Sequence, residues 1–118
     1  MIYTATYNHL YLARERARII SIERRPPEDL DLPQFKPFIP RESLMFDYEA
    51  AGCITYGQFA NEYFDQLRNL PNLNKIVRRM RKYDGADNDD LIFVGYERQR
   101  SYRHLLAQFF NIFDIQEL

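Results

Sequence analysis

Several arginine, glutamate and hydroxyl side chains follow short apolar runs of this sequence, at positions that suit the binding of an anion. Arg24 and Arg25 follow the run that ends at Ile22, and Tyr7 ends the run that begins at Ile2. Arginine guanidinium groups bind phosphate, sulfate and carboxylate through paired N–H donors. The residues that the sequence predicts to bind a ligand are Tyr7, Arg24, Arg25, Glu97, Arg98, Ser101, Tyr102 and Arg103.

The last members of this set lie where a helix is predicted to begin. The backbone N–H groups of residues 101–103 would point outward at the helix N-terminus, where they favour an anion. Glu97 would orient one of the arginines, or accept a hydrogen bond from a ribose or a base. A structural interpretation stays open beside this one, because Glu97 paired with Arg103 or Arg24 would simply tie the loop to the sheet.

Three apolar runs are typical of β-strands, and we expect them to pair in parallel. Residues 2–7 and 18–23 are rich in β-branched side chains, and residues 91–96 are again apolar with Ile, Phe and Val. A helical crossover before the third run favours parallel pairing. Ligands of open α/β sheets bind at the carboxyl ends of the strands. The polar clusters that follow the three runs are therefore predicted to meet at one edge.

Helices are predicted to connect and cover these strands, over residues 41–51, 55–67, 72–83 and 101–113. Thr55 and Gln58 have the spacing of a capping box, which satisfies free backbone N–H groups at a helix start. The proline-rich stretch 24–40 carries apolar anchors, so we expect a loop that is pinned to the core. The predicted fold class is α/β: a small single domain over residues 1–118, with a short, mostly parallel sheet flanked by helices.

The composition narrows the classes of protein to consider. The net charge of the 118 residues is −1, so the chain has no global attraction for nucleic acid or an anionic membrane. Cys53 is the single cysteine, which excludes an internal disulfide, and we expect it to be buried or half-buried. The first residues lack the pattern of a signal peptide, and no apolar run has the length of a membrane span. We therefore expect a cytoplasmic protein with no membrane partner.

Two further clusters have simpler explanations than a binding site. The basic residues Lys75, Arg78, Arg79, Arg81 and Lys82 are interpreted as the solvated face of an amphipathic helix, so we expect no nucleic-acid partner. The helical spacing of an aromatic set favours core packing over a stacking platform: Tyr48, Tyr56, Phe59, Tyr63 and Phe64.

The sequence also lacks the common signatures of cofactor and metal sites. His9 and His104 have no cysteine or acidic partner at the spacing of metal ligands, and no glycine-rich phosphate loop is present. We therefore expect no metal and no cofactor.

Several stretches share a pattern with one known family. They are residues 1–7, residues 20–22 before Pro26 and Pro27, the tyrosine-rich stretch 55–67, and residues 93–97 followed by 101–107. On these stretches the chain resembles, over nearly its whole length, the uncharacterised bacterial and phage domain of unknown function 488 family. The resemblance implies a small α/β domain.

The C-terminal motif departs from the family pattern. In the family the strand has the form L-L-C-x-E, and the next helix opens with C-H-R-x-L-x-A. Glu97 and Arg103 match, whereas Gly95 and Ser101 replace the cysteines and Tyr102 replaces the histidine. A serine hydroxyl is weakly acidic and needs a base beside it. The resemblance therefore implies a fold and a pocket, and the substitutions argue against inherited catalysis.

From these observations we expect a non-enzymatic binding protein that holds a small anionic ligand, a nucleotide or a phosphate-like group, at the carboxyl edge of the sheet. An alternative is a protein–protein interaction module, such as a phage-encoded inhibitor of a host or defence protein, which the abundant tyrosines would suit. A third interpretation is a residual enzyme that acts on nucleotides or nucleic acid through Glu97 and Ser101.

Overall fold

A computed structural model describes residues 2–13, 17–81, 90–96 and 102–114. Its centre is a sheet of four parallel strands in the order β2-β3-β1-β4. The strands are β1 (Ile2–Thr6), β2 (Ala17–Ser21), β3 (Asp90–Gly95) and β4 (Phe113–Asp114). The predicted α/β class, with a parallel sheet flanked by helices, is confirmed.

The α-helices lie between β2 and β3 and after β3. They are α1 (Glu42–Met45), α2 (Tyr56–Arg68), α3 (Leu73–Arg81) and α4 (Tyr102–Phe110), with 3-10 turns at Tyr7–Leu12 and Lys36–Phe38. A π-helical turn, Phe46–Ala50, continues α1, and Gly52 follows it with a φ of 62°. That left-handed conformation favours glycine, as expected at the end of a helix. None of the helices in the described ranges combines the length and apolar character that a membrane crossing requires.

The start of α2 shows how local chemistry sets a helix boundary. The Gln58 backbone N–H donates to Oγ1 of Thr55 at 3.1 Å, and the Thr55 backbone N–H donates to Oε1 of Gln58 at 2.8 Å. This is the predicted capping box. From there Phe59, Tyr63 and Leu67 follow at helical spacing and are all buried. The other members of the aromatic set, Tyr48, Tyr56 and Phe64, are half-buried against the same core, so the set packs there as predicted.

The core lies on both faces of the sheet. Ile20, Ile22, Leu91 and Phe93 pack in the larger cluster with side chains of the helices. Alternate strand residues form a smaller cluster of Tyr3, Ala5 and Ile92 on the other side. The proline-rich loop is pinned by Phe38 and Ile39, which are buried, as predicted.

Three predicted features differ from the structure. The closing helix ends at Phe110, and Asn111, with a φ of 55°, turns the chain into β4. Strand β2 ends at Ser21, because the Ser21 backbone then pairs with the proline-rich loop instead of a regular strand. Cys53 is exposed, since it lies in the turn after Gly52 and not in a packed element.

Candidate functional site

The carboxyl ends of the three longer strands meet at one edge of the sheet. Thr6 is in register with Gly95, and Ser21 is in register with Val94. The residues that follow each strand therefore lie side by side at this edge, as the predicted parallel pairing required.

Glu23 forms the centre of this edge. Its side chain is only 3% exposed, and Oε2 accepts a hydrogen bond from the backbone N–H of Tyr96 at 2.9 Å. The Tyr102 hydroxyl lies 2.7 Å from Oε1 of Glu23 and 2.8 Å from the carbonyl oxygen of Ile22, and it shares its one proton between them. Because a buried carboxylate is costly unless it is hydrogen-bonded, these donors fix Glu23 in place.

Gly95 leaves the room that this carboxylate needs. A Cβ atom added at Gly95 would lie 3.0 Å from Oε2 of Glu23, closer than ordinary van der Waals contact. The absence of a side chain at Gly95 therefore leaves space for the Glu23 carboxylate.

The charge of Glu23 also acts on a tyrosine of α2. The Tyr63 hydroxyl donates to the carbonyl oxygen of Phe38 at 2.6 Å. Burial, and secondly the negative charge of Glu23, raise the pKa of Tyr63 well above its ordinary value. Tyr63 is therefore a fixed hydrogen-bond donor at neutral pH.

Tyrosines line the neighbouring part of the edge. The Tyr7 hydroxyl and Oγ of Ser21 lie 2.7 Å apart, and the Tyr7 and Tyr96 rings meet edge to face with centroids 4.9 Å apart. The Tyr96 hydroxyl donates to the carbonyl oxygen of Arg25 at 2.6 Å. These contacts hold the loop after β2 against the end of β3.

A cavity of about 270 Å³ opens between this edge and α1. We call it the carboxyl-edge pocket; its lining residues are Glu23, Arg24, Arg25, Ile39, Glu42, Met45, Tyr96 and Tyr102. The side chains of Arg24 and Arg25 are exposed at its rim. Arg24 donates to the carbonyl oxygen of Pro40 at 3.1 Å. Within the described residues neither guanidinium forms an ion pair with a carboxylate, so both remain cationic groups open to a ligand.

The structure gathers half of the predicted ligand-binding residues here. Arg24, Arg25 and Tyr102 line the pocket, and Tyr7 packs against Tyr96 beside it. Three other predicted residues, Glu97, Arg98 and Ser101, lie outside the described residues.

The eighth predicted residue, Arg103, lies elsewhere and is only 1% exposed. Its guanidinium forms a buried ion pair with Asp114 of β4 and donates to Oγ1 of Thr4 at 3.2 Å. It also lies 3.0 Å from Nε2 of His104. Because these groups enclose Arg103 between α4 and the β1–β4 edge, it belongs to the core of that edge and not to the carboxyl-edge pocket.

The ligand-site prediction missed Glu23 and Glu42. The run of residues 18–23 predicts Glu23 to be part of the second strand, but β2 ends at Ser21, so Glu23 lies two residues beyond it at the carboxyl edge. Glu42 lines the pocket only because α1 folds back over the edge, and no sequence pattern announces that contact. In the described ranges no three metal-ligating side chains converge.

No family model, curated protein or solved structure matches this chain. The resemblance to the domain of unknown function 488 family therefore stays a prediction.

Proposed function

We propose that this protein binds a small anionic ligand, a nucleotide or a related phosphate compound, in the carboxyl-edge pocket. One observation carries the proposal: Arg24 and Arg25 stand at the rim of a cavity, and neither guanidinium is neutralised by a carboxylate of the described residues. Guanidinium groups recognise phosphate through paired N–H donors, and such hydrogen bonds are stronger than neutral ones.

The lining restricts the chemistry of the ligand. The volume of about 270 Å³ lies just below the usual range of about 300–1,000 Å³ for small-molecule sites, so the ligand is small or extends out of the pocket. Glu23 and Glu42 are acceptors on other parts of the wall, so they would repel a compound that is anionic throughout. A ligand with a phosphate at one end and N–H or O–H donors at the other satisfies both halves of the pocket. Nucleoside monophosphates have this pattern.

The family resemblance is part of the same proposal. It aligns Glu97 and Arg103 with the family motif; Glu97 lies outside the described residues, and Arg103 is buried against Asp114, away from the pocket. Because serine, tyrosine and glycine replace the motif's thiol and imidazole groups, we propose binding rather than catalysis.

Calorimetric titration tests the proposal, with adenosine monophosphate and inorganic phosphate as ligands. We expect the nucleotide to bind and Arg25→Gln to weaken binding by roughly tenfold or more, the usual effect of losing a charged hydrogen bond. Arg68→Gln is the matched control, because Arg68 is exposed on α2 and pairs with Asp65. We expect it to leave the affinity unchanged.

A native mass spectrum of the gently purified protein gives an independent result. A small mass that is lost only on denaturation supports a bound ligand and helps to identify it. If the spectrum shows the bare chain and neither ligand binds at millimolar concentration, the proposal is wrong.

A further inference from the structure

A second cavity, of about 340 Å³, lies beside the outer edge of β2. Its walls are β2, the loop segment 33–35 and α3, and Arg18, Ile20, Ile76, Arg79 and Met80 line it together with that segment. We call it the β2-edge groove. Neither arginine of this groove takes part in the carboxyl-edge pocket.

Strand β2 ends the sheet on this side, and the chain already adds a short piece to it. Ser21 bridges to Gln34 in parallel, with the Ser21 N–H donating to the carbonyl oxygen of Pro33 at 2.7 Å. The Phe35 N–H donates back to the carbonyl oxygen of Ser21 at 3.1 Å. The edge of β2 therefore accepts an extended backbone, and it does so at the end of the groove.

The rest of that edge offers the same backbone groups. Successive residues of a strand direct their N–H and C=O groups to opposite sides, so Ala17 and Ile19 face the same outer side as Ser21. The Ile22 N–H, one residue on, donates instead to Val94 of β3 at 3.0 Å. No outer hydrogen-bond partner of Ala17 or Ile19 is found in the part of the chain that the structure describes. An incoming strand would pair with these two residues.

The side chains of the groove select the chemistry of that strand. Ile20, Ile76 and Met80 give it an apolar floor, and the exposed Arg79 supplies positive charge. The exposed Lys75, one helical turn before Arg79 on α3, extends the positive field. Because alternate side chains of a strand point the same way, a segment matches both features when the residues on one of its faces include acidic and apolar side chains.

We propose that the β2-edge groove binds an extended acidic segment of a partner protein, which adds a strand to the outer edge of β2. Backbone hydrogen bonds to Ala17 and Ile19 supply affinity in this mode, and the arginine-flanked floor supplies specificity. This proposal does not depend on a ligand in the carboxyl-edge pocket.

The first test uses a defined peptide, a capped chain of roughly eight residues, which is a common strand length. Glutamate and valine alternate along one face of the peptide strand, and threonine fills the other face. Fluorescence anisotropy measures its binding beside two controls: a lysine–valine peptide, and the glutamate–valine peptide with N-methylated backbone on one edge. We expect the acidic peptide to bind, with slower hydrogen exchange at the amides of Ala17 and Ile19, and both controls to bind at least about tenfold more weakly.

A matched pair of charge reversals on α3 localises the site. Arg79→Glu changes a residue that lines the groove, whereas Arg78→Glu makes the same change one residue away, at an exposed position outside the lining. We expect Arg79→Glu to weaken the peptide by roughly tenfold or more and Arg78→Glu by less than about threefold. Equal effects of the two reversals, equal binding of the N-methylated peptide, or no binding of the acidic peptide would each overturn the proposal.

Discussion

Replacing Tyr102 with phenylalanine removes one buried hydroxyl from the centre of the carboxyl edge. That hydroxyl lies 2.7 Å from Oε1 of Glu23 and 2.8 Å from the carbonyl oxygen of Ile22. Tyr102 and Glu23 are each only 3% exposed, so little solvent reaches the position of the lost donor. The ring stays in place in Tyr102→Phe, so the change isolates the hydrogen bond.

The expected cost follows from the partner. A hydrogen bond to a charged group contributes about 1.5–3 kcal/mol to stability, and a neutral one about 0.5–1.5 kcal/mol. Since the single proton of Tyr102 is shared between a carboxylate and a carbonyl oxygen, we expect Tyr102→Phe to lower the free energy of unfolding by about 2 kcal/mol. Tyr96→Phe is the control: its hydroxyl donates to an exposed carbonyl oxygen of Arg25, and we expect a loss below about 1 kcal/mol.

Urea denaturation followed by circular dichroism measures both variants. For a chain of this size the unfolding slope is about 1–3 kcal/mol/M, so Tyr102→Phe should shift the midpoint downward by about 1 M. The slope itself should not change, because the surface exposed on unfolding is the same. If Tyr102→Phe is no more destabilising than Tyr96→Phe, the Glu23 carboxylate does not depend on this donor and the description of the site is wrong.

Three further outcomes follow from the packing. Gly95→Ala should lower the free energy of unfolding by about 1–3 kcal/mol, since its methyl group would lie 3.0 Å from a fixed carboxylate oxygen. Gly57→Ala is the control: it lies in helix α2, the nearest atom to the added methyl group is 3.8 Å away, and we expect it to raise the free energy of unfolding by about 0.5–1 kcal/mol. Thermal melts measure both variants. Because the folded-state pKa of Tyr63 is raised above the ordinary 10.0, its contribution to stability should be intact below that value and fall as the unfolded tyrosine ionises above it. Urea titrations should show that Tyr63→Phe lessens this fall by about 1.3 kcal/mol in total between pH 9.5 and pH 11. Asp114→Ala should lower the free energy of unfolding by about 3–5 kcal/mol, because it removes the carboxylate that forms the buried ion pair with Arg103. In urea titrations the double variant Arg103→Met with Asp114→Leu should recover most of that loss.

The sequence was informative where one stretch of chain determines its own structure. The apolar runs predicted the three longer strands, and Thr55 with Gln58 predicted the start of α2, because capping is completed within four residues. A crossover of helices between strands then predicted their parallel order. With parallel strands, the position of the carboxyl edge followed directly.

Contacts between residues that are distant in the sequence could not be predicted from local patterns. Strand β4 has two residues and forms only because Tyr3 and Thr4 offer a free edge to Phe113 and Asp114. The residues around Arg103 in the sequence do not show whether its side chain faces a pocket or a carboxylate. The position of Asp114 in the fold places it in a buried ion pair. Tertiary placement overrides local pattern at such positions.

The strand order has a consequence for synthesis of the chain on the ribosome. The central strand β3 separates β1 from β2, and Leu91 of β3 is the register partner of both Ile2 and Arg18. A nascent chain that ends before residue 90 contains the sequences of β1 and β2 but not β3, the strand that pairs with both. Unpaired strand edges of this kind favour aggregation. We expect stalled chains that end before β3 to be cleaved readily by protease and to recruit chaperones. We expect chains in which residues 90–114 have left the ribosome to be resistant to protease. Early resistance in the shorter chains would show that the first strands fold by another route.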